Sequence, residues 1–263
     1  MGASGMQTAV IKYFESLCVG QMMNNVLPFR LGDLGQAYFF GFLTKSSRSM
    51  AFSTVIMERL FDLVPPFLVI LLGSFFIMLP EQIGIGKILM VIAAGLILLL
   101  LFFSSKKYIK NIIDKIFKSS KIKGGIHKLI DNFYSGLSIL KQKDAILKIA
   151  AYTIFIWSVY FIVMYICLLS LDIHLSISSA VLVMAIISFS VIIPSSPGYV
   201  GTWELCAIIG LGIFHINKHM ALTFALIYHL VSLVPVTLLG FFFFIKSGAS
   251  FTEVEKEAEE TNK

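Results

Sequence analysis

The sequence predicts an all-α fold: a polytopic helical membrane protein with broken or re-entrant helices and a cytoplasmic amphipathic segment. Three observations carry this. Of 263 residues, 57% are hydrophobic and only 14% charged, well away from the composition of a soluble domain. Five runs free of Asp, Glu, Lys and Arg reach membrane length: Leu63–Leu79, Ile88–Phe103, Ile149–Leu171, Ile173–Trp203 and His219–Ile245. About 20 helical residues cross a hydrocarbon core of roughly 30 Å. Lastly, two apolar stretches are interrupted by proline and glycine, which a plain spanning helix would not need.

The N-terminal stretch "MQTAVIKYFESLCVGQMM" reads as an amphipathic, interfacial helix and not as a signal peptide, because Lys12 and Glu15 interrupt where an apolar h-region belongs. A helix from about Met50 to Leu79 leads to an outer turn at Gly84 and Gly86, and the next helix returns near Phe103. Between Ser104 and Lys148 stand eleven lysines and three aspartates, a balance of +8. Such a segment belongs on the cytoplasmic side, and its alternation of apolar and basic residues predicts amphipathic helices at the head-group level, drawn to anionic lipid. It accounts for the net charge of +6, so nucleic acid is not a partner. Lys45 and Arg48 fall on the same side. Ile149–Leu171 then leads out, and the last helix, through Phe244, returns to Lys246 and the tail "TEVEKEAEETNK".

The organisation is a single integral membrane domain over residues 1–246, containing the basic segment 104–148, followed by an acidic, disordered cytoplasmic tail over 247–263. The predicted location is the cell membrane, multi-pass, with the basic segment and the C-terminus cytoplasmic. The three cysteines, Cys18, Cys167 and Cys206, lie in apolar segments without ligand spacing and read as packing residues. His127, His174, His215 and His219 also lack ligand spacing. His229, mid-helix, bonds across helices or relays a proton. No metal or cofactor is expected.

The interruptions carry the functional reading. Pro28-x3-Gly32-x2-Gly35 in "NNVLPFRLGDLGQA" has the spacing of Pro194-x3-Gly198-x2-Gly201 in "PSSPGYVGTWE", where Pro197 adds a further break. Paired Gly/Pro-interrupted segments point to a substrate site built from broken helices. The freed backbone groups must be satisfied by protein or in a wet cavity, and a half-helix N-terminus can hold an anion. The pieces around the second break either cross twice or form one re-entrant hairpin. Charges cluster nearby: Arg30 and Asp33 at the first break; Glu58, Arg59 and Asp62 in "TVIMERLFDLV", where Arg59 can pair with Asp62; and Glu204 after the second break. Ionisable groups at depth usually face a cavity and a partner, whereas Glu204 in a first turn also suits its own helix dipole.

"NNVLPFRLGDLGQAYFF", "STVIMERLFDLV" and "PSSPGYVGTWE" resemble, in order and spacing, the three signature blocks of the flippase-like, lysylphosphatidylglycerol synthase transmembrane family, over roughly Asn24 to Phe244. The resemblance implies an integral membrane domain that moves aminoacylated or glycosylated lipids between leaflets. It marks Arg30, Asp33, Glu58, Arg59, Asp62 and Glu204 as substrate-binding positions. Such domains usually carry further helices before the first block, where this chain has about 23 residues, so it reads as a fragment or a short member. No aminoacyl-transferase domain follows, and synthesis of lysyl-lipid by the family's enzyme route is not expected. Three functions are therefore weighed. The first is a lipid flippase or head-group carrier, for aminoacylated, glycosylated or polyprenyl-phosphate lipids. The second is an accessory subunit of a lipid- or glycan-modifying complex, with a protein partner or a second copy of the chain. The third is an intramembrane transferase acting on lipid-linked sugars. No catalytic constellation supports an enzyme, which is the less expected class.

Overall fold

The structure, a computed structural model, describes residues 3–76, 95, 106–116, 120–137, 143–191 and 195–248. Pro194, the expected helix over 88–103, the turn at Gly84 and Gly86, and the tail from 249 onward lie outside the described residues. Among those described, all regular structure is helical. The helices are α1 (Ala3–Val26), α2 (Gly32–Thr44), α3 (Arg48–Phe76), α4 (Lys106–Ile116), α5 (Ser120–Leu137), α6 (Lys143–Ser170), α7 (Ile177–Ser188), α8 (Thr202–Gly212) and α9 (Lys218–Lys246), with short 3-10 turns at Phe189–Val191 and Pro197–Tyr199.

Two of these, α6 and α9, are long and apolar enough to cross a membrane. Only 17% of the apolar window of each is buried, whereas the core helix of a soluble protein would be covered. Large apolar side chains ring α6 on the outside, Tyr152, Ile154, Phe155, Ile162 and Ile166 among them, an unpartnered surface that suits lipid. Helices α7 and α8 have 12 and 11 residues, or about 18 and 17 Å at 1.5 Å per residue. Neither arm spans a bilayer core alone.

The chain forms two packing units. The first comprises Met1–Val55, Pro194–Val200 and Leu230–Lys263; the second comprises Ile56–Ile193 and Gly201–His229. In the first, α1 and α2 pack closely. Hydrophobicity is spread evenly around α1, which corrects the expectation of an amphipathic helix: Cys18, Val19, Met22 and Met23 are buried, and so is Ser16. Glycine permits the approach. A Cβ on Gly32 would run into the Gly20 carbonyl oxygen and the Asn24 amide nitrogen, and one on Gly35 into the Met23 sulfur. At the far end of α2 the Lys12 ammonium donates to the Leu43 carbonyl at 2.7 Å, satisfying one of the orphan acceptors of a helix C-terminus. Phe39 stacks on Phe244 (6.2 Å), and Phe244 is buried while Phe242 is exposed. The Phe241–Phe244 run is thus divided between core and outside.

The second unit is centred on Met164, Leu168, Val183, Ile187, Leu211 and Phe224, all fully or nearly fully buried and drawn from α6, α7, α8 and α9. Ser176 caps α7, its hydroxyl accepting from the Ser179 N–H at 3.2 Å. Cys18 and Cys167 are buried, Cys206 partly so, and all three are free thiols.

Candidate functional site

In the first unit the two interruptions meet. Helix α1 ends at Val26, and Phe29 and Arg30 both take left-handed conformations, with φ of 57° and 58°. L-residues adopt this region at a cost of about 1–2 kcal/mol each, so the surroundings must hold them there. One such restraint is the Phe29 N–H, which donates to the Ser195 carbonyl of the second interruption at 3.2 Å. Pro197, Gly198 and Tyr199 form the 3-10 turn, with Gly198 at φ 62° and Tyr199 at 59°. A Cβ on Gly198 would lie 3.4 Å from the Asn25 carbonyl and 3.0 Å from Leu233 Cδ1.

The equal spacing of the two breaks does not produce equal backbones. Gly32 and Gly35 are inside the first turn of α2 and serve close packing. Gly198 and Gly201, at the corresponding spacing, have positive φ and serve the turn itself, with Gly201 as the N-cap of α8 at φ 91°. Pro28 accepts from the Leu31 N–H at 3.3 Å in the connection between α1 and α2.

Polar side chains gather around the first break. Arg30 Nε donates to Asp33 Oδ2 at 3.1 Å, and Asn24 Nδ2 donates to Asp33 Oδ1 at 3.0 Å. Asn24 is buried, and its Oδ1 has no hydrogen-bond partner among the described residues. Asn25 Nδ2 donates to the Thr237 hydroxyl of α9 at 2.7 Å. Asn24, Asn25 and Thr237 were not singled out in the sequence. The available signal was the presence of amides and a hydroxyl in apolar stretches, where unsatisfied polar groups are expensive.

The second unit holds two further groups. On α3, Arg59 bridges Glu58 (2.6 Å) and Asp62 (3.1 Å), so one guanidinium serves two carboxylates. On α8, Glu204 does two things. One carboxylate oxygen accepts from the Gly201 N–H at 2.6 Å, the N3-to-N-cap bond of a capping box. The other lies 2.7 Å from His229 Nδ1 of α9. Both side chains are largely buried, 12% and 9% exposed. An ionised carboxylate only accepts, so Nδ1 carries the proton in this bond. The Trp203 indole stacks on the imidazole, with centroids 4.9 Å apart and planes at 14°. Its Nε1–H is buried with no hydrogen-bond partner among the described residues. The Trp203 ring thus packs on this buried pair.

The expected anion sites at the half-helix N-termini are also revised. Asp33 stands in the first turn of α2 and Glu204 in the first turn of α8, so each positive helix end already has its own carboxylate. Net charge is therefore near zero at the first break (Arg30 with Asp33), while the Glu58, Arg59, Asp62 and Glu204 groups are acidic on balance.

Among known proteins, the sequence model of the family described as Lysylphosphatidylglycerol synthase TM region matches residues 1–240. The chain belongs to that family. Two relatives bear the description UPF0104 membrane protein. MJ1078 of Methanocaldococcus jannaschii is 26% identical, over 83% of this chain and 91% of the relative. PH1989 of Pyrococcus horikoshii is 25% identical, over 90% of this chain and 77% of the relative. No solved structure matches. Membership of the Lysylphosphatidylglycerol synthase TM family makes this a membrane protein, in keeping with the uncovered apolar surfaces of α6 and α9.

Proposed function

We infer that the protein is a multi-pass membrane protein of the cell membrane that binds the head groups of lipids and moves them between leaflets. The observation that carries this reading is the junction of the two interrupted segments through Phe29 and Ser195. It gathers irregular backbone and buried polar side chains in an otherwise apolar chain, which is the arrangement expected where a polar cargo passes. The charge balance narrows the cargo. Arg30 and Arg59 are each bonded to carboxylates, so the groups suit a head group with both signs or many hydroxyls, as in aminoacylated or glycosylated lipids, better than a bare phosphate. Within the first unit the Asn24 carbonyl oxygen is an acceptor, and within the second the Trp203 N–H is a donor, each of a kind such a cargo would engage. In this reading α7 and α8 form a re-entrant hairpin, since neither arm is long enough to cross. The lysine-rich segment and the C-terminus face the cytoplasm, by the distribution of positive charge, and the segment rests on anionic lipid.

The test is leaflet exchange in proteoliposomes, with labelled phosphatidylglycerol, lysyl-phosphatidylglycerol and a polyprenyl-phosphate sugar compared side by side. Protein-dependent exchange of a lipid, lost in Glu204→Gln and Arg30→Ala at normal abundance, is the expected result. Unimpaired exchange in both variants would reduce the interruptions to structural features, and no exchange of any lipid would refute translocation by this chain alone.

A further inference from the structure

Away from these groups, the second unit contains a cavity of about 490 Å³ between α4 and α5, lined by Lys106, Lys107, Lys110, Asn111, Asp114 and His127. The first five are the polar face of α4: at 100° per residue they fall within one arc, with Ile109, Ile112, Ile113 and Ile116 opposite. Ile112 and Ile116 are exposed, the apolar face of a helix lying in a bilayer interface. That geometry turns the lysine face and its cavity toward water at the head-group level.

The charges in and around the cavity do not cancel. Lys106 and Lys110 converge on one oxygen of Asp131, at 2.8 and 2.6 Å. Asp114 is shared between His127 at 3.2 Å and Lys123 at 3.9 Å. Lys107 has no carboxylate partner among the described residues. Four lysines thus face two aspartates, an excess of two positive charges held in place by those same carboxylates. Each ammonium has three donors, and one bond to Asp131 leaves the others for a second acceptor. Asn111 adds an amide. Three cationic groups and an amide on one helix face, lining an open groove, match an anion with several terminal oxygens.

We propose that the cavity between α4 and α5 binds a dianionic phosphate ester, with Lys106, Lys107, Lys110 and Asn111 as donors to its terminal oxygens. The ester is either water-soluble or the exposed head group of a lipid such as phosphatidic acid. Binding here does not require that the protein translocate lipid, and it is read without transport.

The experiment uses the full chain in phosphatidylcholine nanodiscs, titrated calorimetrically with glycerol 3-phosphate and with inorganic phosphate. Saturable binding is expected. Lys107→Gln, which breaks no ion pair with a described residue, should weaken it about tenfold, the loss of one charge-assisted bond. Lys148→Gln makes the same charge change on the exposed start of α6 and should leave affinity within about twofold, since an exposed charge acts weakly at a distance. Discs doped with phosphatidic acid separate the sources. Competition with glycerol 3-phosphate assigns the site to the lipid head group, and undiminished titration assigns it to a soluble ester. No saturable binding to either kind of probe, or equal losses in Lys107→Gln and Lys148→Gln, would overturn the proposal.

Discussion

Gly32→Ala is the sharpest test of how the first interruption is held. The added methyl would overlap two backbone atoms of α1, the Gly20 carbonyl oxygen and the Asn24 amide nitrogen, and would lie 2.6 Å from Asn24 Oδ1. The side-chain atom can rotate away; the two backbone atoms cannot, so α2 must move off α1. Overpacking of this kind costs about 1–3 kcal/mol, and a double backbone clash belongs at the upper end. Alanine recovers up to about 1 kcal/mol of helix propensity, leaving roughly 2 kcal/mol of net destabilisation. Unfolding in mixed micelles by titration with a denaturing detergent measures the difference. Gly124→Ala is the matched control: in α5 the same methyl meets nothing within 4 Å, so it should gain up to about 1 kcal/mol. If both variants were equally stable, or Gly32→Ala the more so, the close approach of α1 and α2 would be wrong. The displacement of Asp33 and Arg30 with it should also lower lipid exchange.

Other outcomes follow from the same geometry. Glu204→Gln and His229→Ala should be non-additive in a double-mutant cycle of unfolding, with a coupling of about 1.5–3 kcal/mol for a buried bond to a charged group; additivity would dissolve the pair. Gly198→Ala, at φ 62°, should destabilise by at least about 1 kcal/mol in the same assay, and a neutral result would mean that the turn is not left-handed. The Lys106 and Lys110 ammonium groups hydrogen-bond to Asp131 and hold its carboxyl down at about 2. Its folded value is below the usual one near 3.9, so its contribution is complete above about pH 4 and fades as pH falls toward 2. Spin-label distances between α4 and α5 should lengthen over that window, and Asp131→Asn should remove this pH dependence.

Much of the architecture was legible because apolar length and helix punctuation are local properties. The run through Ile149–Leu171 became α6, although the helix begins earlier, at Lys143, where exposed polar residues extend it. The two interruptions announced themselves through proline and glycine. What the glycines do was not legible, because P-x3-G-x2-G describes both a glycine that admits another helix and one that turns the chain left-handed. Phe29 and Arg30 carry no mark of their positive φ; Phe29 is held by a tertiary contact with Ser195, while Arg30 bonds to Asp33 three residues on. The pairing of Glu204 with His229 was legible only as a need: each is a costly group in an apolar run, but the partner is on another helix, and spacing along the chain does not name it. The lysine face of α4 follows from helical period alone, whereas its cavity depends on α5 lying alongside.

The bond from Asn25 to Thr237 joins residues separated by 212 positions. At roughly 5–20 residues per second of synthesis, α1 waits some ten to forty seconds before its partner on α9 has been made. For most of that interval, until residue 195 is made, Phe29 also lacks the carbonyl of Ser195. The packing of α1 is therefore among the last to be completed, and nascent chains stopped before residue 195 should present α1 and α2 unclosed to insertion factors and to intramembrane quality control.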